Sequence, residues 1–199
     1  MNSVHKIAFA SAILATSAAV QAENFAGMTL GETSNNIRHS SAFQQNVPGS
    51  NLDNVINNSG TWGIRAGQSN ADARYYLSYE NVSDSYHHDA KMRQENLLGS
   101  YDLFLPLGDA TRLFGGATLG VTKLTQDFRG ASRDSDIGYA AGLQAGILQD
   151  VGSNASLEAG YRYLRSNANV EVGPSGGSKV GSLDLHSSSQ AYLGANYRF

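Results

Sequence analysis

Histidine, serine and acidic residues are where chemistry would sit, and the chain offers few combinations of them. Its five histidines are His5, His39, His87, His88 and His186. His87, His88 and Asp89 are consecutive. Adjacent residues in one loop seldom close a four-ligand shell, and no fourth ligand is evident, so no metal site is expected. The chain has no cysteine, which excludes disulfides and thiolate ligands. His186, Ser188 and Asp184 have the residue types of an acyl-transfer set: a base, a nucleophile and an acid to orient the imidazole. All three fall on one face of one segment, together with Gln190 and Tyr192, and no sharp turn presents the serine. Nothing resembles a phosphate-binding loop or a hydrolytic carboxylate pair. The expectation is a non-enzyme without catalytic residues or cofactor.

Other charged residues follow a pattern that is structural. They recur at every second position against apolar partners, which is the signature of strands with two unlike faces. Eight such segments lie near 24–33, 60–69, 73–83, 93–105, 111–124, 136–149, 155–166 and 184–199. In the third, Tyr75, Leu77 and Tyr79 oppose Arg74, Tyr76, Ser78 and Glu80. In the seventh, Leu157, Ala159, Tyr161 and Tyr163 oppose Glu158, Gly160 and Arg162. A soluble sandwich would turn the apolar face inward, whereas a membrane barrel turns it to lipid and keeps the polar face inside.

The connections choose between these two. Long links (34–59, 84–92, 125–135 and 167–183) alternate with short ones (70–72, 106–110 and 150–154). Strict alternation of long loops and short turns belongs to outer-membrane barrels, and an even strand number puts both termini in the periplasm. Residues 1–22 read as a signal peptide: Lys6 is basic, Ile7 to Val20 is uncharged and apolar, and Val20-Gln21-Ala22 suits cleavage after Ala22. One domain is then expected over 23–199. The formal net charge of -3 gives no basic excess for nucleic acid.

The last segment carries the sharpest signal. Ala191, Leu193, Ala195, Tyr197 and Phe199 form one apolar row at spacing two, ending on an aromatic residue. Such a row resembles the C-terminal strand by which the outer-membrane assembly machinery recognises its clients. Phe25-Ala26-Gly27-Met28-Thr29-Leu30-Gly31 and Glu158-Ala159-Gly160-Tyr161-Arg162-Tyr163 resemble the first and penultimate strands of the small OmpA/OmpX-type outer-membrane β-barrel family. The resemblance implies an all-β, eight-stranded antiparallel up-and-down transmembrane barrel. It implies little about function, because the fold hosts adhesins, small channels, structural barrels and lipid-modifying enzymes.

An eight-stranded barrel leaves room inside for little more than side chains. Arg65, Arg74, Glu80, Asp102, Arg112, Gln144, Glu158, Arg162 and Gln190 are expected to line it as a polar network. Both signs are present, and buried charges need partners. Asp102 and Arg112 flank a short turn and could face each other across a hairpin; Glu158 and Arg162 share a strand face. The bulky inward residues Tyr76, Phe114 and Tyr192 argue against an open pore. Outside, Tyr75, Tyr101, Tyr197 and Phe199 are expected near the periplasmic interface and Trp62, Tyr79 and Tyr163 near the extracellular one. Lys123, Arg129 and Arg133 lie among Asp127, Asp134 and Asp136, a mixed stretch with some potential for phosphate contact. The resulting expectation is a structural or surface-interaction barrel. Its partners would be outer-membrane lipid, lipopolysaccharide, the assembly machinery and ligands on host or cell surfaces. The alternatives are a narrow channel and a lipid A-modifying enzyme.

Overall fold

A computed structural model describes the backbone of residues 22–39, 56–86, 90–128, 134–167, 169–172 and 181–199. The leader, His87, His88, Asp89, Arg129 and Arg133 lie outside the described residues, as do the side chains of His39 and Asp184. The strands are β1 (Glu23–His39), β2 (Ile56–Ser69), β3 (Ala73–Tyr86), β4 (Ala90–Pro106), β5 (Thr111–Phe128), β6 (Asp134–Val151), β7 (Ala155–Ser166), β8 (Asn169–Val172) and β9 (Gly181–Arg198). Each long strand is antiparallel to its neighbours, and β1 pairs with β9, so the sheet closes on itself. The short β8 pairs with β9 beyond the end of β7, leaving eight strands in the barrel wall. Closure removes the unpaired edges that an open sheet would expose. Among the described residues there is no helix.

The period-two pattern becomes two opposite surfaces. Met28, Leu30, Leu119, Leu143 and Leu193 point outward and are exposed, while Arg74, Asp102, Gln144, Glu158 and Arg162 are buried inside. This is the inverse of a soluble protein, whose apolar groups leave water by turning inward.

Short turns gather at one end of the barrel. Asn70 Oδ1 accepts the backbone N–H groups of Asp72 and Ala73 at 2.9 and 2.8 Å, which fixes the β2–β3 turn. Gly152, in the β6–β7 turn, takes a φ of 81°, a left-handed conformation that costs a glycine little. At the loop end the strands run further than their apolar pattern. The β3–β4 ladder continues to Tyr86↔Ala90 and the β4–β5 ladder to Ala90↔Phe128. The stretch 84–92, expected as a link, is therefore mostly strand. Hairpin pairing needs only backbone groups, so it persists where alternation has already faded.

The ladders do not all reach the same height. That between β2 and β3 ends at Thr61↔Val82, and that between β6 and β7 ends at Ala140↔Ser166. Beyond those points β3 to β6 continue as one sheet, and β8, β9, β1 and β2 as another. Asn35 Nδ2 on β1 donates to Gln94 Oε1 on β4 at 2.7 Å and ties the two together.

Candidate functional site

The interior holds a hydrogen-bonded network of charged side chains. Glu158 on β7 accepts Arg65 Nη1 from β2 at 2.8 Å and Arg74 Nη1 from β3 at 2.5 Å. Arg65 Nε donates to Asn196 Oδ1 at 2.9 Å, and Arg74 Nε to Asp102 Oδ2 at 2.8 Å. Gln144 continues the chain: its Nε2 donates to Asp102 Oδ1 at 2.5 Å and to Tyr76 Oη at 2.7 Å. Its Oε1 accepts Arg162 Nε at 2.7 Å. Arg162 Nη1 donates to Glu80 and, at 3.5 Å, to Gln190 Oε1. Arg65, Arg74 and Arg162 thus face Glu158, Asp102 and Glu80, and the charges balance.

Aromatic rings complete the packing. The Arg74 guanidinium carbon lies 4.6 Å from the centre of the Phe114 ring and 5.1 Å from that of Tyr76; Arg162 lies 5.5 Å from Tyr192. Cations over ring faces gain electrostatic attraction that strengthens away from water. Inward glycines make space for these rings. A Cβ on Gly146 would stand 2.5 Å from Phe114 Cζ, and one on Gly160 would stand 2.5 Å from Tyr192 Cζ. Next to the polar network sits a small apolar cluster of Leu98, Ala140 and Leu164.

Two pairings that the sequence left open do not form. Asp102 stands opposite Gly116 and bonds to Arg74, while Arg112 stands opposite Pro106 and bonds to Asp150 Oδ2 at 3.0 Å near the turn end. Glu158 and Arg162 share a face but are four residues apart in an extended strand, roughly 13 Å at 3.3 Å per residue. Each therefore finds its partner across the lumen. Asn196 joins the network although sequence reasoning passed over it; its step of two from Gly194 and Tyr192 is the signal that places it inside.

Arg198 closes the turn end. Its Nη1 lies 3.0 Å from Asp150 Oδ1 and its Nη2 donates to the Ser153 carbonyl at 3.1 Å. This links the closing strand β9 to the β6–β7 turn.

A register shift between Asn36 and Ile37 leaves His186 unopposed on β9, and Ser188 is buried on the face of Gln190, away from the outer surface. Among the described residues there is no cluster of three metal-ligating side chains.

The outer surface has its own order. Trp62 and Tyr79 point outward toward the loop end with ring centres 6.0 Å apart, and Tyr79 Oη donates to Glu95 Oε1 at 2.7 Å. Tyr163 lies toward the same end. Tyr75, Tyr101, Tyr197 and Phe199 lie toward the turn end, Tyr75 bonded to Gln68. Tyr139 and Tyr161 also point outward, on the face that sequence alternation gave them. Beyond the loop-end aromatic residues, exposed cations project from Arg93 on β4, Lys123 on β5 and Arg165 on β7.

A closed eight-stranded wall, apolar outside and polar within, defines a small outer-membrane β-barrel of the OmpA/OmpX-like kind. No sequence-family profile and no curated protein sequence matches the chain. Solved structures do. The solution structure of outer membrane protein H (OprH) from P. aeruginosa in DHPC micelles is 65% identical, covers 89% of this chain and 99% of its own, and gives a TM-score of 0.57. Neisserial surface protein A shares the fold at 16% identity, with coverages of 88% and 97% and a TM-score of 0.66. The attachment invasion locus protein of Yersinia pestis does so at 15% identity, with coverages of 89% and 99% and a TM-score of 0.51. The chain belongs to the family of outer membrane protein H.

Proposed function

We propose that this barrel is a non-enzymatic outer-membrane protein that holds lipopolysaccharide around its rim. The loop end faces outward from the cell, and both termini lie in the periplasm after removal of residues 1–22. The observation that carries this reading is the trio Arg93, Lys123 and Arg165. All three are exposed and point away from the barrel axis, just beyond the outward Trp62, Tyr79 and Tyr163. Aromatic residues of this kind settle at the membrane–water interface. Cations one step beyond it meet lipid phosphates, to which guanidinium and ammonium groups donate charge-assisted hydrogen bonds. Glu95 is the direct partner of Lys123 in the ladder, so the rim is mixed rather than uniformly basic. Surface ligands of other cells are a further role for the loops.

The narrow-channel alternative is opposed by the continuous ion-pair network and the rings of Tyr76, Phe114 and Tyr192. The lipid A-modifying alternative is opposed by the inward position of Ser188.

The test is titration of the micelle-embedded protein with purified lipopolysaccharide. The triple variant Arg93→Ala/Lys123→Ala/Arg165→Ala should retain the fold, bind more weakly and show a shallower loss of binding with salt. Equal binding by the variant and the parent would reject the rim as the contact.

A further inference from the structure

At the turn end, the mouth of the barrel holds a narrow recess lined by Arg74, Arg112 and Arg198. No carboxylate lines it. The remaining wall is apolar at Phe25 and Leu148 and polar but uncharged elsewhere, as at Ser156. These six residues come from β3, β5, β9, β1, β6 and β7, so the recess lies inside the ring of strands.

The charges around this recess do not cancel. Arg65 and Arg74 are answered by Glu158 and Asp102. Arg112 and Arg198 share one sheltered carboxylate: Asp150 accepts Arg112 Nη2 at 3.0 Å and stands 3.0 Å from Arg198 Nη1. Glu23 comes within 3.5 Å of Arg198 Nε, but its side chain is 63% exposed, and water screens a charge so placed. The side chains of Arg112 and Arg198 are only 13% and 17% exposed. Two largely buried cations therefore have one largely buried counter-charge. Arg112 Nε is itself buried and meets no acceptor in the protein, and the Phe104 ring packs 4.5 Å from this guanidinium.

These features select an occupant. Three guanidiniums repel a cation, and the lining has no carboxylate to neutralise one. An excess of one positive charge calls for a monovalent anion. The recess has room for little more than a water-sized group, which admits a halide and leaves out a phosphate. Its place inside the ring of strands keeps it from lipid headgroups, which meet the barrel from outside. We infer that the recess binds one small monovalent anion of the size of chloride, held by Arg112 Nε and by the charge of Arg198. Guanidinium N–H groups donate charge-assisted hydrogen bonds, stronger than those between neutral groups. The anion adds to Asp150 a second link between β5 and β9, the strand that closes the barrel on β1.

A chloride titration of the full barrel in detergent micelles tests this, with chloride exchanged for the bulky gluconate anion at constant ionic strength. The Arg112 Nε–H resonance should shift along a saturating curve, and that of exposed Arg93 should not. Asp150→Asn leaves the two guanidiniums without their shared carboxylate and should lower the half-saturating chloride concentration several-fold. Arg112→Lys keeps the charge and removes the Nε–H, and should abolish the saturable part of the chloride-35 line broadening. A wild-type Arg112 resonance indifferent to the exchange would mean that the recess holds water, and overturns the inference even if neither variant folds. A shift that never saturates and matches that of Arg93 would mean an adventitious ion only, and overturns it too.

Discussion

Glu158 on β7 holds Arg65 on β2 at 2.8 Å, an ion pair that crosses the lumen between strands that are not neighbours in the wall. The same carboxylate also holds Arg74, so one acidic group balances two buried cations from one side of the barrel. Removing that charge leaves Arg65 buried without a carboxylate partner and Arg74 with Asp102 alone. Breaking a buried pair from one side costs about 3–5 kcal/mol, because the remaining charge keeps its desolvation penalty. Glu158→Gln is expected to lose stability of that order in denaturant unfolding of the micelle-embedded barrel. A loss well under about 1 kcal/mol, the range of solvent-exposed pairs, would mean that the lumen screens these charges as water does.

Arg162 and Glu80 offer the converse experiment. Each is buried and each is the other's ion-pair partner. Glu80→Gln and Arg162→Met should each destabilise the barrel, and the double variant should lose less than the sum of the two. A double-mutant cycle by equilibrium unfolding reads the coupling, which for contacting charges falls at about 0.5–3 kcal/mol. Strict additivity would show that the pair is not formed in solution.

Glycines divide by the face they occupy. Gly146 points inward, where a Cβ would sit 2.5 Å from Phe114 Cζ, whereas nothing lies within 4 Å of a Cβ on its near neighbour Gly115. Overpacking a filled interior typically costs about 1–3 kcal/mol. Gly146→Ala should therefore destabilise the barrel, and Gly115→Ala should leave it unchanged or slightly more stable. Unfolding midpoints of the two variants compare the faces directly, and equal effects would reject the packing account.

The barrel itself was legible because its wall obeys one simple rule, alternation, and because short and long connections take turns. Met28 against Thr29 or Leu143 against Gln144 is enough to orient a strand. The partners within the lumen were not legible. Asp102 and Arg112 flank the same turn, yet pairing is set by stagger and by which side chain reaches across the lumen. Arg74 and Glu158, 84 residues apart in sequence, therefore meet while the near neighbours do not. The loop-end strand extensions were hidden for a related reason. Ser83 to Tyr86 pair with Ala90 to Arg93 through backbone groups, which leave no trace in side-chain type. The apolar cluster of Leu98, Ala140 and Leu164 breaks the polar-inside rule and had no sequence signal beyond its parity.

The C-terminal row separates folding from delivery. Phe199 donates its backbone N–H to the Asn24 carbonyl at 2.9 Å, but its ring is 70% exposed and contributes little packing inside the barrel. We propose that this ring, with Ala191, Leu193, Ala195 and Tyr197, is read by the assembly machinery through an exposed edge strand before β9 closes on β1. Phe199→Ala should then refold from urea into micelles with an unfolding midpoint close to that of the parent, because no buried contact is lost. In cells the same variant should accumulate as unfolded protein, seen as a fall in the heat-modifiable fraction on an unboiled denaturing gel. Leu193→Arg is the complementary case. It places a charge in the middle of the outward apolar row, where the cost near the bilayer centre is about 2–4 kcal/mol, and should weaken the barrel in both settings. If Phe199→Ala fails equally in micelles and in cells, the ring serves stability and the recognition reading is wrong. If it fails in neither, the row is only lipid-facing surface.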